Sequence, residues 1–331
     1  MSDGSGERST GAKCPISMAD GLLGTPRSSL AVPSPVMKLI IDPTIGRFTR
    51  TELVQEMQDR FGDFTERTFR LWQEKGLIAA PRQDGRWRTG RTGTGKALWS
   101  GHDQEMLAIL LEKRAEHRQG PSSQLQLSEL ANLVVWAWVF WDGFIALDQA
   151  KRALKCWAEP QIGGQDGTVR SRETLTRRVR AAVSQLAAPG TPARAQRTLA
   201  KKVFDTVWCH DLDGLRLLEP ELDTLVDPDR CGRRVGAPGA SIDAHGAIER
   251  LVRSQLAAHA VVTQKPVVRD KDWFAARGML CESWAEYANS WATLRARSST
   301  PDIFGPPGLE LQISDCSNTL LYCLGSRIDP P

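Results

Sequence analysis

The side chains whose type and spacing could do chemistry are arginines in the stretch Thr65–Ile78, T-E-R-T-F-R-L-W-Q-E-K-G-L-I. A guanidinium stays charged and offers a planar fork of donors that matches a phosphate or the edge of a guanine. At about 100° per residue, Arg67, Arg70, Leu71 and Glu74 share one helical face, and Phe69, Trp72 and Gln73 lie opposite. Thr65 is placed to cap the helix N-terminus, and Phe64 and Phe69 occupy the positions of a hydrophobic staple. Gly76 after Lys75 supplies a left-handed C-cap behind a basic last residue. The plain alternative is an ordinary amphipathic helix with a solvated basic face.

Other candidate chemistry is weaker. Gly90–Lys96 satisfies G-x-x-x-x-G-K, but Ala97 stands where Ser or Thr must hold Mg²⁺, and no buried strand precedes it. Those glycines and threonines suit a flexible basic loop better. Cys209-His210 with Cys231 is the one local thiol–imidazole grouping, and scattered structural cysteines are the simpler reading. The five histidines show no metal or triad spacing. No nucleophile–base pair and no clustered carboxylates emerge, so catalytic residues, metal and cofactor are all expected to be none.

The arginines need elements to position them. Thr49-Arg-Thr-Glu52 is a capping-box pattern, followed by Leu53, Val54, Met57 and Phe61 at helical spacing. Phe61-Gly-Asp-Phe64 then turns the chain into the arginine-bearing helix, the sequence form of a helix-turn-helix. Residues 82–99 are rich in Gly and Thr and carry Arg82, Arg86, Arg88, Arg91 and Lys96. With Asp84-Gly85 as a hairpin turn signal, they read as an extended basic β-wing. Ser100 to Asp103 repeats the capping pattern, and Met106, Leu107, Leu110 and Leu111 line a third helix.

Residues 47 to about 118 resemble the winged helix-turn-helix of MerR-family transcription regulators. Thr68, Phe69, Arg70, Leu71, Trp72, Lys75, Gly76 and Leu77 stand in the places of that family's Thr-hydrophobic-Arg-aromatic-aromatic run into Lys-Gly-Leu. Arg82, Gly85, Trp99, Ser100 and Asp103 echo its wing and following helix. Leu71 departs from a polar aromatic, the wing is longer and more basic, and Asp63 is an extra residue in the turn. The resemblance implies double-stranded DNA as partner. Arg67 and Arg70 would reach base edges or phosphates, supported by Thr65 and Thr68. Lys75, Arg82, Arg86, Arg88, Arg91 and Lys96 would complete the DNA-binding set.

Composition fits a normal globular core, with 41% hydrophobic and 25% charged residues among 331. Net charge is only +4, but its distribution is uneven. Thr65–Lys96 holds eight Lys/Arg against three Asp/Glu, and Gln165–Lys202 holds nine against two. The second basic segment reads either as a solvated or intramolecularly paired surface, or as another nucleic-acid contact. The seven scattered cysteines, without C-x-x-C, suit reduced thiols. Leu133–Leu147 is about fifteen apolar residues interrupted by Asp142 and Gly143, short of the roughly 20 that span a bilayer. A cytoplasmic location follows as the expectation.

The expected fold is mainly α: an N-terminal winged helix-turn-helix with a small β-wing, then a larger all-helical domain. Residues 1–36 form a disordered tail, 37–118 the DNA-binding module, and 119–300 a helical dimerisation or effector domain. Residues 301–331 form a C-terminal tail in which Leu309–Ser314 and Thr319–Leu324 could pair as a hairpin. Helices are expected at 170–186, 192–208, about 241–262 and 270–297, with a linker at 158–169 and a loop at 226–240. Trp136, Trp138 and Trp141 read first as core packing; if a small-molecule effector is sensed, they and the Trp273/Trp284/Trp291 helix are where it would bind. The expected function is a homodimeric transcription regulator. An excisionase-like or plasmid/phage architectural accessory factor is the alternative, and an enzyme in the C-terminal domain tethered by a DNA-binding module is the reading from another class.

Overall fold

The computed structural model describes residues 46–83, 97–118, 127–162, 169–226, 244–297 and 306–328. The tail 1–36, Gly90–Lys96 with most of the wing, the linker residues 163–168 and the loop 227–240 lie outside the described residues. What is described is mainly helical. Strand β1 (Gly46–Phe48) leads into helices α1 (Arg50–Phe61) and α2 (Glu66–Glu74), then strands β2 (Arg82–Gln83) and β3 (Ala97–Ser100). Helices α3 (Gly101–Arg118), α4 (Leu127–Phe140), α5 (Leu147–Ile162), α6 (Val169–Leu186) and α7 (Ala193–Cys209) follow. The chain continues with α8 (Leu212–Leu217), α9 (Glu219–Leu225), α10 (Ala244–Thr263), α11 (Asp270–Arg297) and α12 (Leu309–Gly325).

Local chemistry sets the N-terminal elements. Thr49 and Glu52 close a reciprocal capping box at the start of α1, the Thr49 N–H donating to Glu52 Oε2 at 2.7 Å. Ser100 and Asp103 do the same for α3, with the Ser100 N–H donating to Asp103 Oδ2 at 2.7 Å. β3 is the central strand of an antiparallel sheet in the order β1-β3-β2, with Phe48 opposite Trp99 and Arg82 opposite Leu98. Trp99 is buried against Phe69 at 5.3 Å between centroids, and its indole N–H donates to the Ala79 carbonyl at 3.0 Å.

Two hydrophobic cores organise the helices. The first runs without a break from Leu53 of α1 through α2–α5 to Leu256–Val262 of α10, α11, and Cys316–Leu324 of α12. The second joins Leu175, Val179 and Val183 of α6 to Leu199, Val203 and Val207 of α7, with α8, α9, and Ile248 and Val252 of α10. Helix α10 therefore contributes to both. The first core has described residues on both sides of 118/119, the division expected between the DNA-binding module and the helical domain.

The expected C-terminal hairpin is replaced by α12. Its polar residues find partners on other helices instead of turning the chain. Asp315 accepts from Arg250 at 3.3 Å and from Thr319 at 2.5 Å, Ser317 donates to Asn132, and Gln312 accepts from the Trp136 indole at 2.9 Å. Among the described residues, no helix is long and apolar enough to cross a membrane.

Candidate nucleic-acid interface

Helix α2 is fixed at both ends by its own sequence. Thr65 Oγ1 accepts from the Thr68 N–H at 3.2 Å, and the Phe64 and Phe69 rings meet edge to face at 6.4 Å. At the other end, the Leu77 N–H donates to Trp72 O at 2.8 Å and the Gly76 N–H to Gln73 O at 3.2 Å. These are the two bonds of a Schellman turn, and Gly76 takes the left-handed conformation it needs, with φ +77°. Phe69 and Trp72 are buried, so the opposite face, Arg67, Arg70, Leu71 and Glu74, is turned to solvent.

The cations on this face are not equivalent. Arg67 is exposed and has no partner among the described residues. Arg70 donates to Glu66 Oε1 at 2.7 Å, and Arg50 of α1 reaches the same oxygen at 3.3 Å. Arg70, and then Arg50, hold the Glu66 carboxyl below its usual range. Thr68 is half-buried, and its hydroxyl lies 3.0 Å from that of Thr65, so both threonines serve the cap.

Lys75 faces the other way. Its Nζ lies 3.3 Å from Glu159 Oε2 of α5, and both side chains are half-buried. Burial pulls the ammonium pKa down, but Glu159, with Cys156 and Glu74, outweighs this and leaves it raised. Burial also pushes the Cys156 thiol up to about 11. Lys75, expected among the DNA contacts, is directed toward α5 in this structure. The same joint contains the Gln149 side chain donating to Leu77 O at 3.2 Å. A Cβ on Gly76 would lie 2.5 Å from both Ala153 N and Arg152 Cβ.

Arg82 begins β2, paired to β3, which brings the base of the expected wing beside the start of α3. Arg86, Arg88, Arg91 and Lys96 lie outside the described residues. Sequence reasoning missed β1, the Arg50–Glu66 pair and the α5 side of the Lys75 joint. Arg50 is an ordinary first-turn residue, and Gln149 and Glu159 are ordinary helical polars, so no local signal marked them.

No family model, no curated protein and no solved structure matches this chain. What the face can bind follows from its own geometry and charge. The solvent face carries Arg67, which has no partner among the described residues, and Arg70, held by Glu66, with Glu74 one turn further on.

The remaining candidate sites are occupied by packing. Trp136 (4% exposed) meets Trp141 at 4.9 Å, while Trp138 (2%) meets Trp273 at 6.1 Å and lies under the Arg277 guanidinium. The cavity bordered by Phe140, Leu280, Trp284, Gln312 and Asp315 measures about 10 Å³, room for about one water. Cys156, Cys209, Cys281, Cys316 and Cys323 are free thiols, while Cys14 and Cys231 lie outside the described residues. Among the described residues, no group of three or more His, Cys, Asp or Glu side chains could hold a metal ion.

Proposed function

We propose that the chain is a sequence-specific DNA-binding transcription regulator whose N-terminal segment works as a MerR-like winged helix-turn-helix. The observation that carries this reading is the solvent face of α2, where Arg67, without a partner among the described residues, stands beside Arg70 on a helix capped at both ends. The tight α1–α2 connection and the antiparallel β2–β3 pair around the basic segment 84–96 support it. In this reading α2 enters the major groove, its arginines read base edges, and the basic segment holds backbone phosphates. A single small module makes few base contacts. The chain therefore acts as a homodimer on paired half-sites about 34 Å, or a multiple of that, apart along the duplex.

The test is recovery of genomic DNA bound to the full chain, followed by sequencing, with Arg67→Ala in parallel. Discrete promoter sites with repeated half-sites, absent with the variant, are the expected result. Enrichment at attachment or plasmid sites would transfer the reading to an architectural accessory factor. Uniform recovery by both proteins would end the regulator reading.

A further inference from the structure

We propose that the α6–α7 helix pair is a second DNA-contacting surface, which grips sugar–phosphate backbone away from the segment that α2 meets. The proposal rests on the reading that the chain binds duplex DNA, and adds a surface that reading does not use.

The two helices are strongly and unevenly charged. Between Val169 and Cys209 there are nine Lys/Arg and two acidic residues, Glu173 and Asp205. Their apolar stripes, Leu175, Val179 and Val183 on α6 and Leu199, Val203 and Val207 on α7, are spent on the second core. At 100° per residue, Arg177 stands opposite the first stripe with Arg180 on its flank, and Arg194 and Lys201 stand opposite the second with Arg197 toward its flank. All five are exposed. They recur at three- and four-residue steps, about 4.5–6 Å along each axis. Phosphates follow one another at about 3.4 Å of axis per strand, so these long side chains can settle on neighbouring or next-neighbour phosphates.

Intramolecular pairing does not use these charges up. Acidic α9 lies beside α7, yet Lys202 with Glu221 is the pairing it makes with α7 among the described residues. Arg216 of α8 is taken by Asp213 of its own helix. The five outward cations have no ion-pair partner among the described residues.

The same surface is poor for a protein partner. Protein interfaces rely on a central aromatic or aliphatic anchor that becomes fully desolvated. Among the described residues the large exposed hydrophobics are Leu71, Leu217, Val267, Phe274 and Met279, none of them on α6 or α7, whose half-buried Phe204 and Trp208 pack against the second core. A phosphate lattice needs no such anchor, because displaced counterions supply the driving force.

The experiment measures affinity of the full chain for a random-sequence duplex and an in vitro-selected one across a salt series. Two variants are compared: Arg177, Arg180, Arg194 and Arg197 all changed to Gln, and the same four changed to Lys. Each phosphate left without its cation should flatten the log K–log salt slope by about 0.9, so the Gln set should flatten it by roughly 3–4 on both duplexes. The Lys set should keep the wild-type slope, and both sets should keep the wild-type melting temperature. A Gln set with an unchanged slope overturns the proposal, even if it no longer binds an acidic protein partner. A Lys set that falls as far as the Gln set also overturns it, because charge would not be what matters. A wild-type chain that prefers no sequence, with a flattened slope in the Gln set, removes the α2 reading and leaves this surface standing. A wild-type chain that binds neither duplex removes both.

Discussion

Glu66 sits between two arginines, and that decides which cation of α2 is free to meet a partner. Arg67 can commit its whole donor fork, whereas Arg70 must first give up a 2.7 Å bond to Glu66. A base-reading arginine supplies about 1–3 kcal/mol of discrimination against the wrong base. Arg67→Ala should shrink the affinity gap between a selected duplex and a scrambled one by that amount. Glu66→Gln should release Arg50 and Arg70 and tighten both duplexes, the selected one more because Arg70 is a base-reading arginine in this reading. Lys75→Ala should leave both affinities near wild type, since that side chain is committed to Glu159. If Lys75→Ala instead weakens binding as much as Arg67→Ala, the assignment of faces on α2 is reversed. The caps and the two faces of α2 were legible in the sequence because each depends on residues at most seven apart. The role of Lys75 was not, because its partner lies 84 residues further along the chain.

At the scale of elements, Gly76 joins α2 to α5 and carries two separate demands. Its positive φ alone would cost a substituted residue about 1–2 kcal/mol, and a Cβ would also run into the α5 backbone at Ala153. Gly143, in the turn between α4 and α5, has a similar φ of +72° but open space around it. Gly143→Ala should therefore cost only the conformational penalty, and Gly76→Ala distinctly more in chemical denaturation. Equal destabilisation would mean that α5 does not press on the end of α2. The end of α7 offers a pH test. Burial, then the neighbouring His259, lowers the His210 pKa from 6.5 to about 4. The unfolded chain takes up this proton first, so the contribution is full above pH 6.5 and is lost as the pH falls toward 4. For a half-buried group this amounts to roughly 1–2 kcal/mol after allowance for solvent screening. His210→Asn keeps a residue that tolerates the left-handed backbone there, and should flatten urea stability between pH 7 and 5; parallel profiles would count against it. Helix α12 shows where element reading failed. Leu309, Leu311 and Ile313 alternate with polar residues like a strand, and Asp315–Asn318 resembles a turn. Arg250, Asn132 and Trp136 satisfy the polar groups that suggested otherwise, and they lie far away in sequence.

Across the whole molecule, the surface proposed to meet DNA and the C-terminal helix share one core. α12 holds α4 through Asn132 and Trp136, α5 follows α4, and α5 closes on Gly76 at the end of α2. Residues 37–118 could be read as a separate module because the changes of composition and pattern along the chain are local. The return of α5 to α2 is a long-range contact that no local pattern encodes. A continuous core makes a specific prediction about cooperativity. Leu320 of α12 is fully buried, and Leu320→Ala should cost about 2–5 kcal/mol. If α2 opens only with the first core, the Phe69 and Trp72 amides should lose hydrogen-exchange protection by nearly the free energy removed from α12. Val203→Ala, in the second core, should instead lower protection mainly across α6–α9, reaching α2 weakly through α10. Amides of α2 that keep wild-type protection in Leu320→Ala would show that the N-terminal module folds on its own. The division at 118/119 would then be a true domain boundary, and any signal from the helical region to the DNA would need a carrier other than the Gly76 joint.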